Sequence, residues 1–196
     1  MSLPAKVLAV ALGAALVAGC TGRPVATVSG PAPSLHATEV GDVIARPPLV
    51  LADTSLRRFD LAHRPAGELT LLFFGYTHCP DVCPTTMADL AAARRRLTAA
   101  QRDRVRVVFV TVDPRRDTPA VLRAWLNRFD PTFTGLIGGP SSESVLTALK
   151  APRTDLTATP VSHAGSVYGF LSDRTLVWTG GDTPSAYAAD LRTLLA

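Results

Sequence analysis

The chain has 196 residues, of which 47% are hydrophobic, and its formal net charge is +4 at pH 7. This length permits one globular domain with a full core and appended segments, and it excludes two large domains. The basic residues are mostly scattered arginines, apart from the run Arg94, Arg95 and Arg96. No aromatic residue interleaves with that run, which argues against a nucleic-acid partner and predicts the solvated face of a helix.

The first twenty residues have the pattern of an export signal. Lys6 gives a short positive region, residues 7–16 are apolar but too few for a comfortable membrane span, and the segment "VAGC" follows. This pattern resembles a bacterial lipoprotein signal, although an uncleaved anchor helix is the alternative. The resemblance implies a signal peptide at residues 1–19, a lipid on Cys20 and a place at the extracytoplasmic face of the cell membrane.

A lipid on Cys20 leaves Cys79 and Cys83 as an isolated pair among the three cysteines. An exported compartment permits such a pair to be oxidised. Residues 20–38 are rich in Pro, Gly, Ser, Thr and Ala and have no periodic apolar positions, which predicts a lipidated flexible tether. The folded domain is then expected at residues 39–196.

The first predicted elements of the domain surround the cysteine pair. Residues 41–59 contain short apolar pieces that suggest an irregular strand or hairpin. The continuous apolar run "LTLLFFG" at residues 69–75 predicts a strand that is covered on both faces. After the cysteines, the segment "TTMADLAAARRRLTAA" has apolar residues at helical spacing with arginines opposite, which predicts one helix.

The rest of the domain continues to alternate between strands and helices. Residues 105–113 predict a second buried strand, and Thr118 followed by Pro119 predicts the start of a helix. The segment "FTGLIG" predicts a short strand, and "SSESVLTALK" a helix capped by Ser141 or Ser142. The segments "VYGFL" and "TLVW" predict a hairpin, and "TPSAYAADLRTLLA" a final helix.

This order of elements is that of a thioredoxin-like fold, in which parallel strands joined by helices precede an antiparallel hairpin and a last helix. We therefore predict an α/β fold of this type, with a central mixed sheet flanked by helices. The sequence has no internal repeat, no Gly-rich phosphate loop and no dinucleotide-binding fingerprint. The chemistry is expected in the turn that carries the cysteines.

Cys79 and Cys83 are placed between a strand and a helix, where backbone N–H groups and the helix dipole favour thiolates. Three residues separate them, whereas a thioredoxin-like redox pair has two. Residues four apart in a helix have Cβ atoms about 5–6 Å apart, and an unstrained disulfide needs about 3.8 Å. A metal relaxes this demand, because each thiolate reaches about 2.3 Å to a central ion. The spacing favours a metal site and still permits a structural or reducible disulfide.

The four histidines are the remaining candidate ligands. Two thiolates suit Cu(I), and an added imidazole also permits Cu(II), whereas a closed zinc site would need a fourth ligand. His36 in the tether and His63 in a polar turn are expected to be solvated. His78 adjoins Cys79, but neighbouring side chains of an extended segment point to opposite faces. His163 precedes the hairpin, and its predicted loop faces the cysteines; an ordinary loop histidine is an equal interpretation.

Three ordered blocks of the sequence resemble the SCO/SenC family of copper-binding proteins, which assemble the binuclear copper centre of cytochrome c oxidase. The blocks are "FFGYTHCPDVCPTT", "VFVTVDPRRDTP" and a histidine ahead of "VYGFLSD". The resemblance extends from about residue 40 to the C-terminus. It implies that Cys79, Cys83 and His163 are ligands of copper, as Cu(I), as Cu(II) or as both.

The same resemblance assigns roles to acidic residues. It implies that Asp81, Asp113 and Asp117 lie behind the ligands or contact a partner. The residues alone give Asp81 the role of a hydrogen-bond acceptor in the turn, and Asp113 that of ending a strand. Family members commonly have Asp directly before the ligand histidine, whereas this chain has Ser162. Loss of that carboxylate is expected to weaken the orientation of the imidazole and with it Cu(II) binding.

Three functions follow from these residues and the resemblance. The first is a membrane-anchored copper metallochaperone whose partners are the copper-bearing subunit of cytochrome c oxidase and an upstream copper donor. The second is a thiol:disulfide oxidoreductase that reduces the cysteines of the oxidase copper site and is served by a thiol reductant. A peroxiredoxin-type peroxidase ranks last, because His78 lies between Thr77 and Cys79 and no arginine is placed beside the thiolate.

Overall fold

The computed structural model describes residues 34–40, 46–151, 165–172, 174–179 and 181–196. The predicted signal peptide, Cys20, Ser162 and His163 lie outside these ranges. None of the helices found within these ranges combines the length and the apolar character that a bilayer span requires.

The described ranges contain eight strands and five helices. The strands are β1 (Thr38–Glu39), β2 (Val50–Ala52), β3 (Arg58–Asp60), β4 (Leu69–Gly75), β5 (Val105–Thr111), β6 (Thr134–Ile137), β7 (Val167–Leu171) and β8 (Arg174–Trp178). The helices are α1 (Val82–Arg95), α2 (Ala99–Asp103), α3 (Pro119–Leu126), α4 (Pro140–Ala148) and α5 (Pro184–Leu194).

Six strands form one mixed sheet in the spatial order β1, β8, β7, β4, β5, β6. β4, β5 and β6 are parallel, whereas β7, β8 and β1 join the sheet in antiparallel pairs. β2 and β3 form a separate antiparallel hairpin, as the apolar pieces before residue 59 predicted. The mixed sheet with flanking helices confirms the predicted fold class.

The core lies on both faces of the sheet, and β4 is buried along its whole length. Successive strand residues point to opposite faces, so Leu71 and Phe73 contribute to one apolar cluster and Leu72 and Phe74 to the other. The first cluster also contains residues of α1, α3 and α5, and the second contains residues of the β2–β3 hairpin and α4. Two covered faces explain why this strand is continuously apolar.

The predicted starts of two helices are confirmed. Thr118 caps α3 by accepting a hydrogen bond from the Val121 N–H at 3.4 Å, and Thr183 caps α5 by accepting one from Ala186 at 3.2 Å. Proline follows each threonine at the first helical position, where its missing N–H costs nothing. Local sequence chemistry therefore determines both helix starts.

The predicted cap of α4 is wrong. The helix begins at Pro140, so Gly139 is its capping residue and Ser141 and Ser142 lie in its first turn. The Ser142 hydroxyl accepts a hydrogen bond from Gly139 N at 3.0 Å and donates one to Gly139 O at 2.5 Å. The start was misplaced because Pro140 is itself compatible with the first helical position.

The single helix predicted after the cysteines is also wrong, because it divides at Thr98. α1 ends at Arg95, and α2 begins after Thr98. The Thr98 hydroxyl accepts a hydrogen bond from Gln101 N at 3.3 Å, while the Gln101 side chain accepts one from Thr98 N at 3.2 Å. This capping box starts a new helix within a segment whose apolar spacing alone predicted continuity.

Residues 34–39 are part of the folded domain. Leu35 packs against the first core cluster, Ala37 is buried, and β1 pairs with β8. The predicted boundary at residue 39 therefore comes too late. The composition of the segment gave no sign of these contacts, because much of the attachment is through backbone N–H groups.

A buried carboxylate, Asp190 of α5, holds this segment. It is 1% exposed. Its oxygens accept hydrogen bonds from His36 N at 3.0 Å, from Ala37 N at 2.9 Å and from Trp178 Nε1 at 2.9 Å. The His36 ring is also bound, because its Nδ1 lies 2.9 Å from Asp190 Oδ1. The His36 side chain is 52% exposed, as its place in the sequence suggested, but its ring is bound to Asp190 and is not free.

The His36–Asp190 pair is expected to make stability depend on pH. The hydrogen bond to Asp190 raises the pKa of His36 above 6.5. Burial acts to raise the pKa of Asp190, but its hydrogen bonds outweigh burial and hold that pKa below 3.8. The stabilisation is therefore complete between pH 3.8 and 6.5 and is lost as pH rises through the raised pKa of His36.

We expect His36→Gln to reduce the thermal unfolding midpoint most at about pH 5–6, with the difference from wild type shrinking above that range. Circular dichroism melts in a series of buffers provide the measurement. His63→Gln is the matched control, because His63 Nδ1 also lies 3.0 Å from a carboxylate, that of Asp60, but its side chain is 82% exposed, and so exposed a pair contributes little to stability. A His36→Gln difference that stays constant from acid to alkaline pH would contradict the assignment.

Candidate metal centre

The two cysteines lie where the central strand passes into the first long helix. β4 ends at Gly75 and α1 begins at Val82, so residues 76–81 form a connection that we call the cysteine loop. Cys79 lies in this loop and is 6% exposed, whereas Cys83 lies in the first turn of α1 and is 0% exposed. Neither forms a disulfide. The position agrees with the predicted turn at the carboxyl end of a strand.

A sulfur atom takes the place of a capping oxygen at the start of α1. Asp81 is the capping residue by position, but its side chain makes no capping hydrogen bond and lies 3.5 Å from the Thr85 hydroxyl. Cys79 Sγ instead accepts a hydrogen bond from the Cys83 N–H at 3.3 Å. This contact holds the Cys79 sulfur directly at the N-terminus of α1.

Cys83 lies in a much more enclosed environment. A Cβ atom added at Gly75 would lie 2.8 Å from Cys83 Sγ, so the strand backbone passes directly beside this sulfur. Burial is the main cause that raises the pKa of the Cys83 thiol, and the hydrogen bond with Cys79 and the charge of Asp117 raise it further. Cys83 therefore keeps its proton at neutral pH unless a cation replaces it.

Asp117 joins the cysteine loop to the end of β5. It is 0% exposed. Its carboxylate accepts hydrogen bonds from Thr77 N at 2.9 Å, from Thr77 Oγ1 at 2.6 Å and from Thr111 Oγ1 at 2.6 Å. Neither threonine was predicted to contact Asp117. The available signal was their position, because each is at or just beyond the carboxyl end of adjacent parallel strands.

Asp113 has a different environment, although it comes only four residues earlier. It is buried, and its carboxylate is paired with the Arg116 guanidinium. Its backbone N–H donates to Thr111 Oγ1 at 3.0 Å. Of the three acidic residues named from the sequence, Asp117 is thus bonded to the cysteine loop, Asp81 lies within it, and Asp113 is held by an arginine.

The described residues supply two sulfur ligands and leave the third to be proposed. Among residues 34–40, 46–151, 165–172, 174–179 and 181–196, no three His, Cys, Asp or Glu side chains converge as a metal site. The His78 side chain is 55% exposed, and its Nδ1 lies 3.1 Å from Thr77 Oγ1. The His78 ring therefore lies beside Thr77 and is about half exposed. The predicted ligand His163 lies outside the described ranges.

Comparison with known sequences identifies a protein family and a relative that this chain resembles. The family described as SCO1/SenC has a model that matches residues 47–196. A protein of Stutzerimonas stutzeri, named as copper-binding, is 36% identical to this chain over 128 residues. That alignment covers 63% of this chain and 62% of the relative, so this chain spans less than two thirds of the relative's length.

Solved structures show the same fold. ScoI of Bradyrhizobium japonicum, solved with copper bound, is 31% identical, with a TM-score of 0.61, and the match covers 76% of this chain and 99% of that one. BsSco, described as having a disulfide switch and as a member of a family of cytochrome c oxidase assembly proteins, is 23% identical, with a TM-score of 0.64 and coverage of 81% and 97%. These neighbours confirm the thioredoxin-like fold. Because its family model matches residues 47–196, this chain belongs to the SCO1/SenC family.

Proposed function

We propose that this protein is a membrane-anchored copper metallochaperone that delivers copper to the binuclear copper centre of cytochrome c oxidase. Cys79, Cys83 and His163 would be the copper ligands. The observation that carries the proposal is a pair of cysteines that form no disulfide and meet at the start of α1, where the Cys83 N–H lies 3.3 Å from Cys79 Sγ. Paired thiolates are soft ligands of the kind that Cu(I) prefers, and an imidazole would extend the site to Cu(II).

The two sulfurs differ in a way that suits transfer. Copper replaces the thiol protons, and the enclosed Cys83 gives up its proton only to a cation that compensates the buried charge. Cys79 lies in the loop and is the more exposed of the two. An incoming ligand of the partner would therefore displace Cys79 first, while Cys83 keeps its bond to the ion until the exchange is complete.

The location and partners follow from the proposed anchor. A lipid on Cys20 would hold the domain at the extracytoplasmic face of the cell membrane. The copper-bearing subunit of the oxidase would receive the ion there, and an upstream copper donor would supply it. Asp81 lies between the two cysteines and is exposed, which makes it the acidic residue placed best to contact a partner.

A second function, thiol:disulfide exchange with the oxidase copper site, is supported by one contact. The Cys83 N–H donates to Cys79 Sγ, so the more exposed cysteine is held beside the fully buried one. Cys79 would attack a target disulfide, Cys83 would resolve the mixed disulfide, and the target would leave as a dithiol. Regeneration would need a thiol reductant. The raised pKa of Cys83 slows this resolving step, because the thiolate is the nucleophile.

Titration of the reduced protein with Cu(I) and, separately, with Cu(II) tests the leading proposal. We expect saturation at about one ion per chain, because two thiolates and one imidazole make a single mononuclear site. Ligand-to-metal absorption bands report sulfur coordination. The Cys79→Ser, Cys83→Ser double variant should bind neither ion at this site, and saturation of that variant at the wild-type level would refute the assignment.

The same titration with His163→Ala tests the third ligand and separates the two functions. Cu(II) affinity is expected to fall at least about tenfold, since even an outer-shell partner contributes that much. Thiol exchange should remain normal. Unchanged Cu(II) binding would show that His163 is not a ligand. If the apo-protein reduces an oxidised target peptide much faster than a small thiol does, and loses copper binding readily, the oxidoreductase is the better description.

A further inference from the structure

Asp117 carries a fully buried carboxylate that is hydrogen-bonded to the cysteine loop. Its three hydrogen bonds all come from neutral donors, the N–H and hydroxyl of Thr77 and the hydroxyl of Thr111. Within the described residues, its one ionic contact is with His78 Nδ1, at 3.8 Å. The neighbouring Arg116 is paired with Asp113 instead. In the part of the chain that the structure describes, the carboxylate charge is therefore hydrogen-bonded but has no arginine or lysine within ion-pairing distance.

The carboxylate and the Cys83 sulfur lie at the same end and on the same face of the sheet. Thr111 is the register partner of Gly75, and its side chain shares the face of Phe109, two residues earlier. A Cβ atom on Gly75 would lie 2.8 Å from Cys83 Sγ and 2.9 Å from the Phe109 ring. With strands about 4.8 Å apart, Asp117 lies within about 10 Å of the sulfur. The charge of Asp117 acting on the Cys83 thiol agrees with this.

A fixed negative charge at this place discriminates between the two copper oxidation states. Cu(II) carries one more positive charge than Cu(I), so the carboxylate attracts the divalent ion more strongly. The free-energy cost of removing the cysteine protons is the same for Cu(I) and Cu(II) when the same ligands hold both ions, so it cancels in the ratio of the two affinities. The effect therefore depends on the charge and distance of Asp117 and not on the protonation of the thiols.

We propose that Asp117 is a positioning residue that fixes the cysteine loop and whose buried charge sets the preference of the site for Cu(II) over Cu(I). This inference rests on the proposed copper-binding function and deepens it. The loop is held through Thr77, and the charge acts through space, so these two roles can be separated by substitution.

Asp117→Asn is the test variant, because asparagine keeps the size and one acceptor oxygen while it removes the charge. The Cu(I) and Cu(II) affinities of the full protein are measured separately against competing chelators of known affinity. We expect the ratio of Cu(II) to Cu(I) affinity to fall about tenfold, the effect of one charge about 10 Å away at an effective dielectric constant near 20. Asp117→Ser provides a second neutral variant in case Asp117→Asn does not fold.

Two controls separate charge from structure. Thr111→Val removes one hydrogen bond to Asp117 and keeps the charge, so stability should fall while the affinity ratio is unchanged. Glu68→Gln removes a buried charge at the other end of β4, a strand of seven residues, and should also leave the ratio unchanged. If both neutral Asp117 variants bind copper with normal stoichiometry and an unaltered affinity ratio, this inference is wrong but the proposed function stands. Absence of copper binding by the wild-type protein overturns the proposed function with it.

Discussion

Replacement of Asp190 by alanine is expected to lower the free energy of unfolding by about 3–5 kcal/mol, because each buried hydrogen-bond donor left without an acceptor costs about 1–3 kcal/mol. The variant leaves three N–H donors without their acceptor: the indole of Trp178 and the backbone groups of His36 and Ala37. Trp178 is fully buried, so water cannot easily replace the lost oxygen. Urea denaturation followed by circular dichroism measures the loss.

Asp190→Asn and Asp103→Ala are the matched controls for this prediction. Asparagine keeps one acceptor oxygen and is expected to lose less stability than alanine. Asp103 is an exposed residue of α2, and its replacement should change stability by about 0.5 kcal/mol or less. A loss for Asp190→Ala no larger than that for Asp103→Ala would show that the buried hydrogen bonds contribute little.

The Asp190 contacts also explain how residues 34–38, which the sequence predicted to be tether, attach to the edge of the sheet. β8 would otherwise be an edge strand with unpaired backbone groups, and β1 covers part of that edge. Asp190 holds the two residues directly before β1, His36 and Ala37. Loss of this carboxylate should therefore expose the edge of β8, and limited proteolysis of Asp190→Ala is expected to cut first near residues 34–40.

Most of the fold could be predicted because its signals are local. The continuous apolar runs of β4 and β5 predict strands that are buried on both faces. The sequence pairs Thr118–Pro119 and Thr183–Pro184 predict helix starts, because the threonine caps the helix and the proline fits its first position. The parts that were missed depend on distant partners or on competing local signals. β1 exists through pairing with a strand more than a hundred residues away in the chain, and Thr98 interrupts a pattern that apolar spacing alone continues.

The candidate site also has parts that the sequence predicts and parts that depend on distant partners. The motif placed Cys79 and Cys83 at the strand-to-helix turn, and the structure has them there. Hydrogen bonds from Thr77 and Thr111 to Asp117 were not predictable, because Thr77 and Asp117 are 40 positions apart and their meeting requires the register of β4 and β5. The ligand role of His163 stays a prediction.

Gly75→Ala is expected to destabilise the protein by about 3 kcal/mol, at the upper end of the usual cost of overpacking a core. The added methyl group would lie 2.8 Å from Cys83 Sγ, 2.8 Å from the Phe73 ring and 2.9 Å from the Phe109 ring. All three side chains are fully buried, so none can move aside into solvent. The free energy of unfolding from urea denaturation gives the measurement.

The same substitution should damage the copper site, because the atom that the methyl group meets is a proposed ligand. A displaced Cys83 sulfur no longer holds its position relative to Cys79, so weaker Cu(I) binding and altered sulfur-to-copper absorption are expected at temperatures where the variant is still folded. Gly139→Ala is the matched control, since its added Cβ would lie 3.7 Å from the Leu51 side chain, an ordinary contact. If Gly75→Ala were as stable as Gly139→Ala and bound copper with the wild-type spectrum, the close packing of β4 against Cys83 would not constrain the site.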